Sequence, residues 1–360
     1  MKRALHILAL AALCCMTLLS CEKFVFEESE ADCDGGTLQV SLRINTGGKG
    51  SGVSRALTET EETGSGYENY IDISSLHILF FDTDNKFLQR FSPDEVKPVD
   101  NTAYPQKWEL RGTVTNPPSG DFKVVVLANW PSSPAGLQAR VTTIEDVCKA
   151  DWSIARYTGT SDVPFKPSAE STIPMYGVRT VNALYFRPDV ETYLGEVSLL
   201  RALAKIEVSL NAGCETELES VTLNKHNKDF ACAPLGMYDN TSYSGTAHLC
   251  MEAEDNTPEA TLYFSADSER KVWTIYVPEY INAGPTGMAR GDCSFIELKL
   301  KDSDAVYRID FRDYSTTKDD GRRFDIIRNY EYRYTVNVTP ILFTVNVEKW
   351  VFGGKVYIDL

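Results

Sequence analysis

Between Thr37 and Asn45 every second residue is apolar: Leu38, Val40, Leu42 and Ile44 alternate with Thr37, Gln39, Ser41 and Arg43. Period-two alternation gives one apolar face only if the backbone is extended, so the segment is expected as a half-buried β-strand. The same design returns near the end of the chain. Tyr330, Tyr332, Tyr334, Val336 and Val338 alternate with Glu331, Arg333, Thr335 and Asn337, and beyond Pro340 the set Ile341, Phe343, Val345 and Val347 alternates with Leu342, Thr344, Asn346 and Glu348. Trp350, Val351 and Phe352 then lead to a Gly353-Gly354 turn and a last segment, Val356–Leu360. A lone one-faced strand buries nothing, so these stretches demand partners.

The partners are legible between them. Leu76–Phe81 carries Leu76, Ile78 and Phe80 on one face and Leu79 and Phe81 on the other, and Phe122–Asn129 is β-branched throughout its middle. Apolar residues on both faces mark central strands covered on each side. Trp108–Val114 reads as a further strand, Gly195–Leu199 and Tyr185–Arg187 as short edge segments, and Thr143–Trp152 as the best helix, with Thr142 or Thr143 as N-cap. Past residue 195, Leu199–Leu210, Ala260–Phe264, Val272–Val277, Cys293–Leu300 and Ala305–Phe311 follow at the spacing of a β-sandwich. The expectation is an all-β protein of two tandem sandwich domains, 37–195 and 196–360, with one or two short helices. A chain of 360 residues is long enough for each to bury its own core.

The start of the chain is an export signal. Lys2 and Arg3 precede the apolar run Ala4–Leu19, which is short for a membrane span. Leu18-Leu19-Ser20-Cys21 fits a bacterial lipobox, so 1–20 is expected to be removed and Cys21 acylated, with 21–36 as an acidic tether to the outer membrane. Acyl chains contribute about 0.8 kcal/mol per buried CH₂ and hold such a precursor firmly. Loss of Lys2 and Arg3 takes the formal net charge from -15 to -17. That acidity argues against nucleic acid as a partner and against adhesion to anionic lipid by basic patches. After the first strand, Thr46–Arg55 holds four glycines and no apolar run, the composition of a loop that opens easily to a protease.

Chemistry is sparse. Gly47–Gly52 has a lysine but not the phosphate-loop spacing. His77, His226 and His248 stand apart, and Cys33, Cys148, Cys214, Cys232, Cys250 and Cys293 form no CxxC pair, so neither a metal nor a cofactor is implied. Six cysteines allow 15 pairings and nothing selects one; buried thiols or one or two bridges are expected. No serine elbow or His-carboxylate pattern supports catalysis, and Asp302/Asp304 and Asp319/Asp320 read as solvated turns. Arg290-Gly291-Asp292 is a short receptor-type tripeptide in a glycine- and proline-rich loop. Trp108, Trp130 and Trp152 could stack on sugars in a glycan-binding surface lipoprotein, although tryptophan in a sandwich more often packs in the core.

Taken in order, the lipobox at Cys21, Arg55-Ala56, Leu76–Phe81 with its Asp82–Asn85 turn, Val124–Asn129, Arg201–Val208, Val277-Pro278-Glu279, Ile327–Tyr332 and Glu348–Gly354 resemble the fimbrillins, the lipoprotein-derived pilus subunits of Gram-negative anaerobes. The resemblance implies transthyretin-like sandwiches, export as a lipidated precursor and residence at the outer membrane in a pilus that supports adhesion. It implies an Arg-specific protease cutting between Arg55 and Ala56, removal of the strand bearing Leu38, Val40, Leu42 and Ile44 with its loop (37–55), and other pilus subunits as partners. The donor strand would be Ile341, Phe343, Val345 and Val347, or the segment around Trp350. The stretch at Pro340 is short for a strand that must swing out. An anchor or tip subunit, which uses one assembly end only, therefore stands beside the polymerising stalk reading.

Overall fold

The computed structural model describes residues 36–46, 66–99, 105–153, 164–183, 186, 190–210, 217–234, 261–267, 271–282, 290–301, 304–312, 323, 325–338, 343–351 and 354–358. The chain is all-β. In the N-terminal half the strands are β1 (Thr37–Asn45), β2 (His77–Asp82), β3 (Phe87–Phe91), β4 (Glu95–Pro98), β5 (Lys107–Thr115), β6 (Phe122–Ala128), β7 (Asp151–Ser153), β8 (Met175–Val181), β9 (Thr192–Ser198) and β10 (Leu200–Arg201). One sheet runs β4-β5-β1-β9 and the other β10-β8-β6-β2-β3. Their facing sides share one core, in which Leu38, Val40, Leu42 and Ile44 meet Ile78, Phe80, Val124, Val126 and Leu110.

β2 and β6 are central, as their two apolar faces require. Ile78 and Phe80 face β1, while Leu79, Phe81, Val125 and Leu127 lie in a second core with Trp130, Ile144, Val147 and Cys148. That second core also takes in Phe230, Cys232, Ala233 and Tyr276 from the other half of the chain. Trp130 is thus a core residue, 5 % exposed, and Trp108 packs against the sandwich interior. Neither offers a sugar platform; the Trp152 side chain lies outside the described residues.

The C-terminal half contains β11 (Ala204–Leu210), β12 (Leu218–Asn224), β13 (Asp229–Ala231), β14 (Thr261–Tyr263), β15 (Ser265–Asp267), β16 (Val272–Val277), β17 (Phe295–Leu300), β18 (Val306–Asp310), β19 (Glu331–Val338), β20 (Phe343–Val351) and β21 (Gly354–Ile358). The sheets are β15-β16-β11-β19-β20-β21 and β14-β12-β17-β18. Between them lie Ile206, Val208, Val221, Leu223, Ile296, Leu298, Phe311, Tyr332 and Tyr334.

One local expectation is corrected. The helix expected over Thr143–Trp152 is a single turn and a half, α1 (Ile144–Cys148). Its start is as anticipated, with Thr143 and Asp146 forming a reciprocal capping box. Its continuation is lost because Asp151–Ser153 is drawn out to pair with β13, a two-stranded sheet that joins the halves. β9 runs through the 195/196 position and β10 still pairs with β8, so the first sandwich continues to Arg201. Gly195 has φ +104°, and the β1–β9 register shifts beside it, which marks a bulge rather than a linker. Cys148, Cys232 and Cys293 are buried, and Cys33, Cys214 and Cys250 lie outside the described residues.

Candidate functional site: the slot filled by the first strand

β1 is an inner strand. It pairs antiparallel with β5 over all nine of its residues, from Thr37↔Thr115 to Asn45↔Lys107, and parallel with β9 from Val40↔Thr192 to Asn45↔Ser198. Leu38, Val40, Leu42 and Ile44 are 2 %, 1 %, 0 % and 0 % exposed, so the sequence alternation maps onto the sandwich interior. Burying four such side chains is worth about 1.5–3 kcal/mol each, comparable in total with the roughly 5–15 kcal/mol that holds a whole domain together. β1 is therefore structural as long as it is present, and its place is a slot between β5 and β9.

The outer face of the slot is polar and specific. Gln39 Nε2 donates to Thr113 Oγ1 at 2.8 Å. Arg43 has a glutamate as its cross-strand neighbour on both sides, Glu109 on β5 and Glu196 on β9. Its Nη2 and Nε donate to Glu109 Oε2 at 2.9 and 3.2 Å, and its guanidinium lies 5.7 Å from the Tyr193 ring centre. Asn45 Nδ2 donates to Glu196 Oε1 at 3.0 Å. The hydrogen bonds from Arg43 and then Arg111 hold the Glu109 carboxyl below its ordinary range.

The C-terminal end of β1 is tied to the rest of the molecule by one buried guanidinium. Arg201 Nη2 donates to the Thr46 carbonyl at 2.8 Å and to Asn69 Oδ1, Nε to the Glu68 carbonyl at 2.9 Å, and Nη1 to Asn329 Oδ1 at 2.9 Å. Thr46 and Glu68 flank the segment 47–65 that contains Arg55, so Arg201 fastens both of its ends. Around it Lys205 Nζ lies 3.1 Å from Glu68 and 3.2 Å from Glu331, and Tyr276 Oη donates to Glu68. Burial works to lower the Lys205 ammonium, but Glu331, Glu68 and Glu207 outweigh it and raise its pKa. This junction was missed in the sequence. Its one signal is a lone cation inside the apolar run Leu199–Leu203.

The other sequence-predicted residues fall elsewhere. Cys21, Arg55, Ala56 and Ile341 lie outside the described residues. Phe343, Val345, Val347 and Trp350 sit on β20, which is held in its own six-stranded sheet between β19 and β21, with Phe343↔Val338, Val345↔Val336, Val347↔Tyr334 and Trp350↔Lys355 as partners. They are not brought near β1. In the Arg290–Asp292 tripeptide both charges have partners within the chain: Arg290 Nε meets Asp310 at 3.1 Å and Asp292 meets Lys225 at 3.6 Å. Among the described residues no helix is long and apolar enough to cross a membrane.

Comparison with curated protein sequences finds no match. Among solved structures, the tip fimbrial protein Mfa3 of Porphyromonas gingivalis, with a C-terminal truncation, superposes with a TM-score of 0.54 at 16 % identity, covering 89 % of this chain and 100 % of that one. A fimbrial assembly protein of Parabacteroides distasonis has a TM-score of 0.49 at 15 % identity, covering 90 % and 100 %. At such identities the first likeness speaks for the fold alone. The sequence profile described as fimbrillin-A associated anchor proteins Mfa1 and Mfa2 matches residues 29–352, most of the chain. With that match laid over two tandem sandwiches, the chain belongs to the family of fimbrillin-A associated anchor proteins.

Proposed function

We propose that this chain is an anchor or tip subunit of a cell-surface fimbria, exported as a lipoprotein acylated on Cys21 and matured by an Arg-specific protease that cuts between Arg55 and Ala56. Cleavage turns β1 from a tethered strand into an exchangeable one, and a strand of another subunit takes its slot. The observation that carries this reading is the unequal setting of the two ends. β1 is an inner strand followed in the sequence by a glycine-rich stretch that ends in Arg55, whereas β20 is enclosed by β19 and β21 of its own sheet. A subunit that accepts a strand but keeps its own last strands uses one assembly end, as an anchor or a tip does.

The energetics set the order of events. The apolar contacts and two ladders of β1 are too costly to lose unaided, so cutting alone does not eject it; the incoming strand displaces it while restoring the same main-chain hydrogen bonds. The direct test is N-terminal sequencing of the protein recovered from surface filaments. Material beginning at Ala56 is expected, and Arg55→Ala is expected to leave Cys21 at the N-terminus and to block incorporation. Filament-bound protein that still begins at Cys21 refutes the cleavage step, and a Cys21→Ala protein that stays in the outer membrane and takes up fatty acid refutes the anchor.

A further inference from the structure

We infer that the vacated slot selects a strand carrying lysine or arginine at the position of Arg43, and so accepts a subunit of different sequence in preference to a second copy of this chain. The inference rests on the proposed exchange of β1. Its ground is the row of three residues Glu109, Arg43 and Glu196, cross-strand neighbours on β5, β1 and β9. With β1 gone, two carboxylates face each other across the gap, with the Tyr193 ring beside it. Opposite charges in direct cross-strand register attract, and like charges there repel. A strand can satisfy the inner face with any four alternating apolar residues, but this row favours a cation, since Arg111 on Glu109 and Lys107, 3.8 Å from Glu196, offset the two carboxylates only in part.

The last alternating segment of this chain fails that test in either direction. Laid along β1 with Ile341, Phe343, Val345 and Val347 in place of Leu38, Val40, Leu42 and Ile44, it puts Asn346 between the glutamates. It also puts Glu348 where Asn45, 2 % exposed, donates to Glu196. Reversed, it puts Leu342 between them. Shifted forward by two residues, it brings Glu348 itself to the row, a third carboxylate between two. The inner faces match; the outer faces do not.

The test uses the full-length precursor, cut by an Arg-specific protease that is then inhibited. Fluorescent peptides are titrated in and followed by anisotropy: the Thr37–Asn45 sequence, its Arg43→Glu form, and Ile341–Lys349. The Arg43→Glu peptide is expected to bind about tenfold more weakly than the native one, two cross-strand pairs having turned from attractive to repulsive. The gap is expected to narrow in about 1 M salt, where charges are screened beyond about 3 Å. A Glu109→Lys/Glu196→Lys precursor is expected to reverse the order, and Ile341–Lys349 to bind no better than the Arg43→Glu peptide. Equal affinities for the native and Arg43→Glu peptides, or an Ile341–Lys349 peptide that matches the native one, overturn the selectivity while leaving strand exchange standing. If the native peptide itself never enters the cut protein, exchange fails and the selectivity falls with it.

Discussion

Arg201 shows how one side chain can decide where a segment begins and ends. Burial lowers its pKa, with Glu68 and Glu331 pulling the other way, and its donors are spent on Thr46, Glu68, Asn69 and Asn329. Arg201→Ala leaves several of these acceptors without a donor, at about 1–3 kcal/mol for each that stays buried. A loss of about 3 kcal/mol in urea unfolding is expected, with segment 47–65 cut faster by the protease. Arg201→Lys is expected to recover only part of it, since an ammonium cannot reach around a fork of partners. The Glu109 carboxyl gives a pH signature. Its folded pKa is held below the ordinary 4.5, chiefly by the Arg43 hydrogen bond, so its contribution is complete above that value and fades as pH falls through the lower folded one. Retention of β1 in the cut protein is expected to weaken below about pH 4.5, and Glu109→Gln is expected to flatten that dependence.

At the scale of elements, β1 and β20 share an alternating design and differ in what surrounds them. Leu42, fully buried among Ile78, Phe80 and Val124, is expected to cost about 2–5 kcal/mol on truncation to alanine. After cleavage the Leu42→Ala strand is expected to leave the protein on gel filtration, where the native strand stays bound; co-elution of both argues that the ladders alone retain β1. For β20, Phe343→Asp with Val345→Asp places aspartates at the positions in register with Val338 and Val336 on β19. This variant is expected to unfold the C-terminal sandwich, read as lost near-ultraviolet circular dichroism. A folded double variant that is cleaved but not incorporated instead makes β20 a donor strand and the chain a stalk subunit.

At the scale of the whole molecule, the two sandwiches are joined by packing as well as by the chain. They share a core that runs from Leu79 and Phe81 to Phe230 and Tyr276, and the β7–β13 pair bridges them. The bridge is held by a buried ion pair, Arg328 Nη2 to Glu279 Oε2 at 2.8 Å, with Arg328 also donating to the Ala231 and Cys232 carbonyls. Breaking a buried pair from one side costs about 3–5 kcal/mol. A single calorimetric transition is expected for the intact protein, and Glu279→Ala is expected to split it in two. A single transition in both would mean that the shared core alone couples the halves.

What the sequence by itself determined was the inner face of several strands, β8 and β12 not among them. Leu38, Val40, Leu42 and Ile44, the two-faced Leu76–Phe81 and Phe122–Asn129, and the Thr143 cap are local patterns, and a period of two or a capping box reports its own conformation without reference to distant residues. What only the tertiary structure decided was which strands meet. β9 became the parallel neighbour of β1 across more than a hundred residues, Asp151–Ser153 left its helix for a strand of the other half, and Arg201 gathered Thr46, Glu68 and Asn329 around one guanidinium. Strand order and the partners of a buried charge depend on contacts remote along the chain. No local periodicity encodes them, because the free energy that selects them is released only when both sheets close on one core.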